Sequence, residues 1–545
     1  MPKILINEKD NTSPGTPGSY ANYSVLIAGY KDSTITNGKV SPDSNGVYEF
    51  SSYDDFEKTI GVTGTENTIE GITESHYGNA MAYELLKLGY TVIYKPITSV
   101  ADMKSADFWE VFRDKASYDF RFVSHGLLKT SHDAAAYKVL KDRLDEINDD
   151  VDKLADIIET VENSDGFAEL DAEAKEDKYE EEYARVISTE EGGEGYEGFK
   201  YKKLDGTLAQ YGSYARAAEK LTENADGKIP AQEDQLKLID DHDKTCVTDD
   251  AFKLINCNIA NLASYKADST DAIPGRGDCI ALIELDENEY VNTIGKPECA
   301  IIDAINAMSD DIDATGNGPY CALTVPSVCY FEGKDKPTKK MPGAFHYLAC
   351  FMASLRSGFA EWYAAAGYTR GVSSYAIDHT SVKLGEIAIN ALEPRNLVDD
   401  ENKKQPKFAC NVIANFRGSY YLWGNRTAYA LKSAAGGGDL VAHHFLNIRQ
   451  LCTTIKKQLY VACRRFTFDP NSDTLWFNFV NAITPTLDLM KADQGIRDYK
   501  VLKVFTDKKA TLKAKIRIIP IEAVEDFDIE VSLEDSFGDV SVTAN

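Results

Sequence analysis

From Thr511 onward the chain alternates apolar and polar residues with a strict period of two, and that commits the stretch to extended backbone whatever the rest of the molecule does. In TLKAKIRIIP, Leu512, Ala514, Ile516 and Ile518 share one face, while Thr511, Lys513, Lys515 and Arg517 share the other. A second such run follows in EDFDIEVSLED, where Phe527, Ile529, Val531 and Leu533 alternate with Asp526, Asp528, Glu530 and Ser532. The polar face of the first run is basic and that of the second acidic, and opposite charges across a ladder favour pairing. Two arrangements are open. One is a terminal hairpin connected through Pro520 and the IEAVE stretch. In the other, a strand leaves its own subunit and adds to a neighbour's sheet edge, which makes a chain into a polymer.

Upstream, strands alternate with helices. Ser24 to Gly29 reads as a buried strand, Ser51 to Ile60 as a capped helix, His76 to Leu88 as a helix closed by Gly89, and Thr91 to Ile97 and Tyr118 to Val123 as strands. Nearly continuous apolar runs at Cys279 to Glu284 and Tyr320 to Phe331 suit central strands. Between these blocks, from about Ala134 to Val186, Leu140, Leu144, Ile147, Val151, Leu154, Ile157 and Ile158 recur at helical spacing. The pattern is interrupted at Ser164 to Gly166. A coiled-coil hairpin or a solvated pair of amphipathic helices would fit it. At 545 residues the chain is too long for one core. The fold class expected is therefore α/β (mixed α+β) and multidomain. The divisions are 1–22 an arm, 23–128 and 265–340 two parts of one α/β domain, 129–264 an acidic helical insertion, 341–524 a further domain, and 525–545 a second arm.

The net charge of −28 argues against a nucleic-acid coat or a membrane-surface binder, both of which need basic patches. Residues 141–190 hold 19 acidic and 6 basic side chains, so nearly half the surplus sits in under a tenth of the chain. Ten cysteines are scattered singly from Cys246 to Cys463, several within apolar helical stretches, and are expected as reduced thiols. Neither Cys321 with Cys329 nor His443 with His444 gives zinc-ligand spacing. MPKILINEKD lacks a cationic segment followed by an apolar run, and no stretch of about 18 apolar residues occurs. Cytosolic synthesis without membrane insertion is expected.

Motifs that carry chemistry are missing. There is no GxxxxGK[ST], no GxGxxG after a strand, no GxSxG and no HExxH. SDDIDATGNG at 309–318 lacks the bidentate glutamate of an EF-hand loop and reads as an acidic turn. Arg276, Gly277 and Asp278 spell an adhesion tripeptide but precede a strand, so a turn is expected there too. Neither a catalytic site nor a cofactor nor a metal is expected.

In the helix from about Leu440 to Arg465, Val441, Phe445, Ile448, Cys452, Ile455 and Leu459 form an apolar stripe, with Arg449, Lys456, Lys457 and Arg464 within roughly a quarter turn of one another beside it. Phe345, Leu348, Met352, Leu355, Phe359 and Trp362 make another helix face, which Gly367 is expected to end. Ser472 or Asp473 should cap a helix carrying Trp476, Phe479 and Ile483, and Pro485 should kink or end it.

Four segments resemble the contractile tail sheath proteins of myovirus phages: PGAFHYLACFMASLRSGFAEWYAAAGYTRG (342–371), YYLWGNRTAY (420–429), LNIRQLCTTIKKQLYVACRRFTFDPNSDTLWFNF (446–479) and IRIIPIEAVEDFDIEVSL (516–533). The N-terminal SPGTPGSYANYSVLIAGY, YEFSSYDDFEKTIG and LLKLGYTVIYKPI resemble the same family, while about 129 to 264 does not. The resemblance implies hexameric rings of self stacked helically around a tail tube protein, capped by baseplate and tail terminator proteins. It implies a virion component assembled in the host cytoplasm, with no direct nucleic acid. It also implies that arm strands at Ile4, Leu5, Ile6 and at Phe527, Ile529, Val531, Leu533 add to a neighbour's sheet containing Leu512, Ile516 and Ile518. Arg449, Lys456, Lys457 and Arg464 could then face the tube. Sheaths of type VI secretion or bacteriocin-like particles fit the same segments. So, with less support, does an enzyme or binding module with a sheath-like C-terminal domain.

Overall fold

The computed structural model describes residues 23–61, 77–128, 134–190, 192–203, 207–245, 249–265, 275–291, 296–313, 316–332, 338–372, 377–394, 405–430, 441–506, 510–521 and 523. The expected strands at Ile4 to Ile6 and Phe527 to Leu533 lie outside the described residues. Every residue of β1 (Ser24–Tyr30) is buried. Val25 and Ile27 enter one core and Leu26 and Ala28 another, as a strand covered on both faces requires. β2 (Tyr48–Phe50) leads to α1 (Tyr53–Thr59), whose N-cap Ser52 accepts from the Asp55 N–H with Asp54 and Asp55 in the first turn. α2 (Gly78–Lys87) stops before Gly89, at φ +83°. β3 (Thr91–Ile97) runs parallel to β1, with β2 antiparallel on its far side. After α3 (Val100–Lys104) and α4 (Ala106–Glu110), β4 (Phe122–Ser124) pairs with the other edge of β1. The strand expected from Tyr118 starts late, because the Tyr118 N–H closes a turn on Asp114 O.

The acidic region is a folded unit, neither a coiled coil nor a bare pair of helices. α5 (Ala134–Glu162) and α6 (Ala172–Ile187) are joined through Gly166 at φ +79°. β5 (Lys200–Lys202), β6 (Leu208–Gln210), α7 (Tyr214–Leu221) and α8 (Pro230–Thr245) close over them. Ile147, Leu154, Ile157, Tyr183, Val186, Phe199 and Leu221 form its core. Tyr179 stacks on Tyr214 at 4.8 Å, and Tyr183 meets Phe199 at 5.0 Å. α9 (Asp249–Ala263), inside the expected 129–264 insertion, instead packs Phe252, Ile255 and Ile259 into the core that holds Leu26.

The second half of the sheet follows as β7 (Ile280–Ile283), α10 (Pro297–Asp313), β8 (Cys321–Val325), β9 (Val328–Glu332), β10 (Thr338–Pro342), α11 (Gly343–Arg356), α12 (Gly367–Arg370), β11 (Ile377–Thr380), α13 (Glu386–Leu392), β12 (Asn411–Phe416) and β13 (Ser419–Trp423). Strand order in the central sheet is β13-β12-β8-β7-β4-β1-β3-β2. The six inner strands are parallel and the two edge strands antiparallel. α1, α2 and α11 cover one face and α3, α4, α9, α10 and α13 the other, so the fold is a three-layer α/β sandwich.

Three expectations fail here. The run Tyr320 to Phe331 is two strands, since Pro326 follows β8 directly and β9 turns away into a separate β10-β9-β11 sheet. α11 ends at Arg356 with Gly358 at φ +87°, leaving Phe359 and Trp362 outside it, and Gly367 opens α12 rather than stopping a helix. The division at residue 341 is not where packing divides, because α11, β12 and β13 belong to the central sheet.

A smaller module ends the described chain: α14 (Leu446–Arg465), α15 (Asp473–Ala492), β14 (Ile496–Val504) and β15 (Lys513–Pro520). Ser472 caps α15, but Pro485 sits inside the helix without ending it. The Thr484 hydroxyl donates to the Val480 carbonyl at 2.8 Å. Phe479, Ile483, Leu487 and Met490 are buried on both sides of the proline. At about 1.5–3 kcal/mol for each buried side chain, that packing outweighs the roughly 3 kcal/mol an internal proline costs.

Candidate assembly interface

β14 and β15 form an antiparallel ribbon that pairs with no other strand among the described residues, so both outer edges are open among those residues. Open edges of eight and nine residues are templates for strand addition. The two faces differ sharply. Ile496, Tyr499, Val501, Ile516 and Ile518 pack with Leu451, Ile455, Leu487 and Met490 of α14 and α15. The opposite face carries Lys500, Lys513, Lys515 and Arg517, all exposed, with Leu502 39% and Ile519 53% exposed. Lys500 stands directly across the ladder from Arg517, and Lys515 across from Leu502. Like charges in direct register weaken a ladder. Among the described residues none of these four cations makes an ion pair, whereas nearby Lys491 binds Asp498 and Lys503 binds Asp473. Among the described residues the ribbon therefore has an exposed basic face, an apolar face packed on α14 and α15, and two edges without a strand partner.

Of the sequence-derived residues, Leu512, Ile516 and Ile518 are half-buried, and the two isoleucines lie on the α15 side as the alternation requires. The proposed tube-facing stripe breaks up. Arg449 is 5% exposed, lies over the Tyr320 ring at 4.2 Å and donates to His443 Nδ1 at 3.1 Å. Lys457 is 3% exposed and pairs with Asp119 and, at 3.8 Å, with Asp278. Neither can face a partner. Lys456 is exposed, donating to the Gly277 carbonyl at 2.7 Å, and Arg464 is half-buried beside Tyr460. The stripe turns inward because the first half of α14 is buried on all sides, with Asn447, Gln450, Thr453 and Thr454 as well as Ile448 and Ile455.

What holds α14 there is a set of polar contacts that sequence reading missed. Arg121, fully buried just before β4, donates to Gln450 Oε1 at 3.0 Å, to Thr454 Oγ1 at 2.8 Å and to Glu361 Oε2 at 3.1 Å. Tyr23 donates to the other Glu361 oxygen at 3.1 Å, and Gln450 donates to the Tyr347 hydroxyl at 3.0 Å. A second anchor centres on Arg276, which donates to Asp278 at 2.9 Å and to the carbonyls of Phe112 and Tyr118, both at 2.8 Å. Arg276 and Asp278 are 1% and 5% exposed, so the adhesion-like tripeptide is closed to any receptor. Arg426 pairs with Glu393 at 2.7 Å. The clue available in the sequence was an arginine inside the apolar run FRFVS; its partners are 240 and more residues away.

Ligands of open α/β sheets sit at the carboxyl ends of the strands where strand order reverses, here between β1 and β4. That crevice is filled by the chain itself. Asn79 accepts from the Tyr30 N–H at 2.9 Å and donates to the Tyr30 carbonyl at 2.7 Å, with the Tyr94 hydroxyl 2.7 Å from its Oδ1. A Cβ on Gly29 would lie 2.3 Å from the Tyr94 hydroxyl, and one on Gly126, at φ +71°, would lie 2.7 Å from Gly78 Cα. Further along, Glu284 is fully buried at the end of β7, one oxygen accepting from the Ala344 N–H at 2.8 Å and the other without a partner. Burial holds this carboxyl well above its ordinary value of 4.5. A raised folded value means that its contribution is intact below the ordinary value and lost as pH rises toward the folded one. Glu284→Gln is therefore expected to raise the unfolding temperature near pH 8 and to change it little near pH 5, as thermal scans at the two pH values would show.

Nine described cysteines are free thiols, and Cys279, Cys321, Cys329, Cys350 and Cys410 are buried. No helix among the described residues is long and apolar enough to cross a membrane.

No protein-family model matches the chain, and no curated protein does. Among solved structures, the chain is similar to one in the anti-feeding prophage (AFP) baseplate, 6-fold symmetrised, at 9% identity, 98% of this chain, 99% of that chain and a TM-score of 0.48. It is similar to one in the PVC sheath complex of an extracellular contractile injection system in its contracted state, at 11% identity, 98% of both chains and 0.47. A chain of the AFP baseplate in its contracted state gives 12% identity, 98% of this chain, 97% of that chain and 0.46. With identities this low and TM-scores below 0.5, the functional reading rests on this chain's own residues.

Proposed function

We propose that this chain is the structural subunit of a contractile tail sheath of the myovirus phage type, polymerising helically around a tail tube and contracting to drive it through a host envelope. The observation that carries the reading is a ribbon with one apolar face, whose two edges are open and whose basic face is unpaired among the described residues. The segment from 525 to 545 holds seven acidic residues and no basic one, and its first half alternates acid with Phe527, Ile529, Val531 and Leu533. A strand of that pattern laid on either edge puts carboxylates on the basic face and apolar side chains against α15. When the strand comes from a neighbour, the contact is heterologous and does not close, which is what a helical filament needs. The segment 516–533, which resembles the sheath family, spans the end of β15 and this alternating run. In this reading the buried anchors of Arg121 and Arg276 make each subunit a rigid block, and the strand links serve as hinges between blocks. Contraction then draws on contact between subunits, with no nucleotide required.

The test is a charge exchange. Lys513→Glu with Lys515→Glu and Arg517→Glu should abolish sedimentable polymer, and so should Asp526→Lys with Asp528→Lys and Glu530→Lys. Each set puts like charges face to face. An equimolar mixture of the two variants should restore polymer, since the strand of each is complementary to the ribbon of the other and alternation satisfies every link, and one chain carrying both sets should polymerise alone. Polymer formation by either single set at wild-type concentration would remove the reading.

A further inference from the structure

We infer that a binding site for a small free oxyanion, of the size and charge of phosphate, lies beside α14 and is built from Arg449, Lys456 and His443 around the Tyr320 ring. The site uses none of the ribbon and stands or falls apart from the sheath reading. Arg449 lies over the Tyr320 ring at 4.2 Å and Lys456 over the same ring at 5.2 Å, so one aromatic ring gathers two like charges. Lys456 donates one proton to the Gly277 carbonyl at 2.7 Å and keeps two. The Arg449 Nη2 donates to His443 Nδ1 at 3.1 Å. With Nδ1 accepting, neutral His443 holds its proton on Nε2, which adds a third donor group. The charge on Arg449 is poorly compensated. The residue is 5% exposed, yet it meets an aromatic ring and a neutral ring nitrogen, and its Nε has no acceptor. A cation taken out of water carries a desolvation cost that a bound anion offsets. Carboxylates on the same seam are committed to other cations, Asp119 to Lys457 and Asp278 to Arg276. Burial, together with the charges of Arg449, His444 and Lys456, holds His443 below its ordinary 6.5, as a positive potential at its ring requires. Guanidinium and ammonium groups are the side-chain cations that recognise oxyanions. Because so little of Arg449 is exposed, the site admits a compact anion and not an acidic protein surface. His443 and Lys456, both exposed, flank it. A bound oxyanion ties the turn Ala442–His444 to the middle of α14.

Equilibrium dialysis of the purified full-length chain against radiolabelled inorganic phosphate, with chloride at matched ionic strength as the control, reads the site directly. A single saturable phosphate per chain is expected. Its affinity should fall about tenfold in Lys456→Gln and in Arg449→Gln, since each loses one charge-assisted contact. Lys456→Gln replaces an exposed side chain and keeps the test valid where Arg449→Gln does not fold. Phosphate should also raise the thermal midpoint of the native chain more than that of Lys456→Gln. Glycerol phosphate, which carries the same group on a bulkier body, should compete poorly. Absence of saturable phosphate binding to the folded native chain, or affinity unchanged in Lys456→Gln, would overturn the site. Equal competition by glycerol phosphate would overturn its restriction to a free anion.

Discussion

A chain ending at Val524 is expected to remain folded and monomeric at concentrations where the full-length chain forms polymer. Among the described residues the four hydrophobic cores are complete without the removed segment, so the truncated chain should keep a cooperative thermal transition. The loss should be complete rather than graded. The removed segment supplies Asp526, Asp528 and Glu530 and the apolar row that complement the ribbon, while the truncated chain keeps the ribbon, unpaired among the described residues, with nothing to lay on its edges. Lys500 opposite Arg517 then opposes any casual pairing of ribbon with ribbon. Sedimentation of the truncated and full-length chains side by side reads the result, and equal polymer from both would remove strand exchange from the mechanism.

Arg121→Met should be the most damaging single substitution for stability. It takes the donor from Glu361, Thr454 and Gln450 at once and leaves the buried Glu361 carboxylate with the Tyr23 and Thr454 hydroxyls but no cation. Breaking one half of a buried ion pair costs about 3–5 kcal/mol, a large part of the roughly 5–15 kcal/mol that holds a typical domain together. Arg121→Met combined with Glu361→Leu should recover most of that loss, because apolar groups of similar volume can replace a buried pair at little net cost. Urea midpoints for the two single variants and the double variant close the cycle. If the double variant is as unstable as Arg121→Met alone, the Gln450 and Thr454 contacts matter more than the ion pair.

The sequence shows local order better than it shows what packs on what. β1, β3, β7, α1, α2 and both acidic helices were readable from apolar period, Ser52 and Gly89, since each depends on residues a few places apart. The strand β14 was not, because IRDYKVLKV alternates imperfectly and its ladder partner lies beyond a loop. The apolar stripe was found correctly from Ile448 to Leu459, but α14 starts only at Leu446, which leaves an exposed Val441 outside it, and the basic row was given the wrong environment. A basic row beside an apolar stripe reads as solvated, and only the fold brings Asp119, Asp278 and Tyr320 against it. Pro485 shows the same limit from the other side, since the rule that proline ends a helix is local and the packing that overrides it is not. For the assembly site, the alternation at Thr511 was legible and half of the answer; the open edges appear only once β15 is seen to have β14 as its one described partner.

The most direct measurement is negative-stain electron microscopy of the purified full-length chain at rising concentration, first alone and then with a tail tube protein. The account predicts hollow, striated cylinders that share a helical repeat and are missing from the chain truncated at Val524. A full-length chain that stays monomeric across the series, with and without tube, would contradict it.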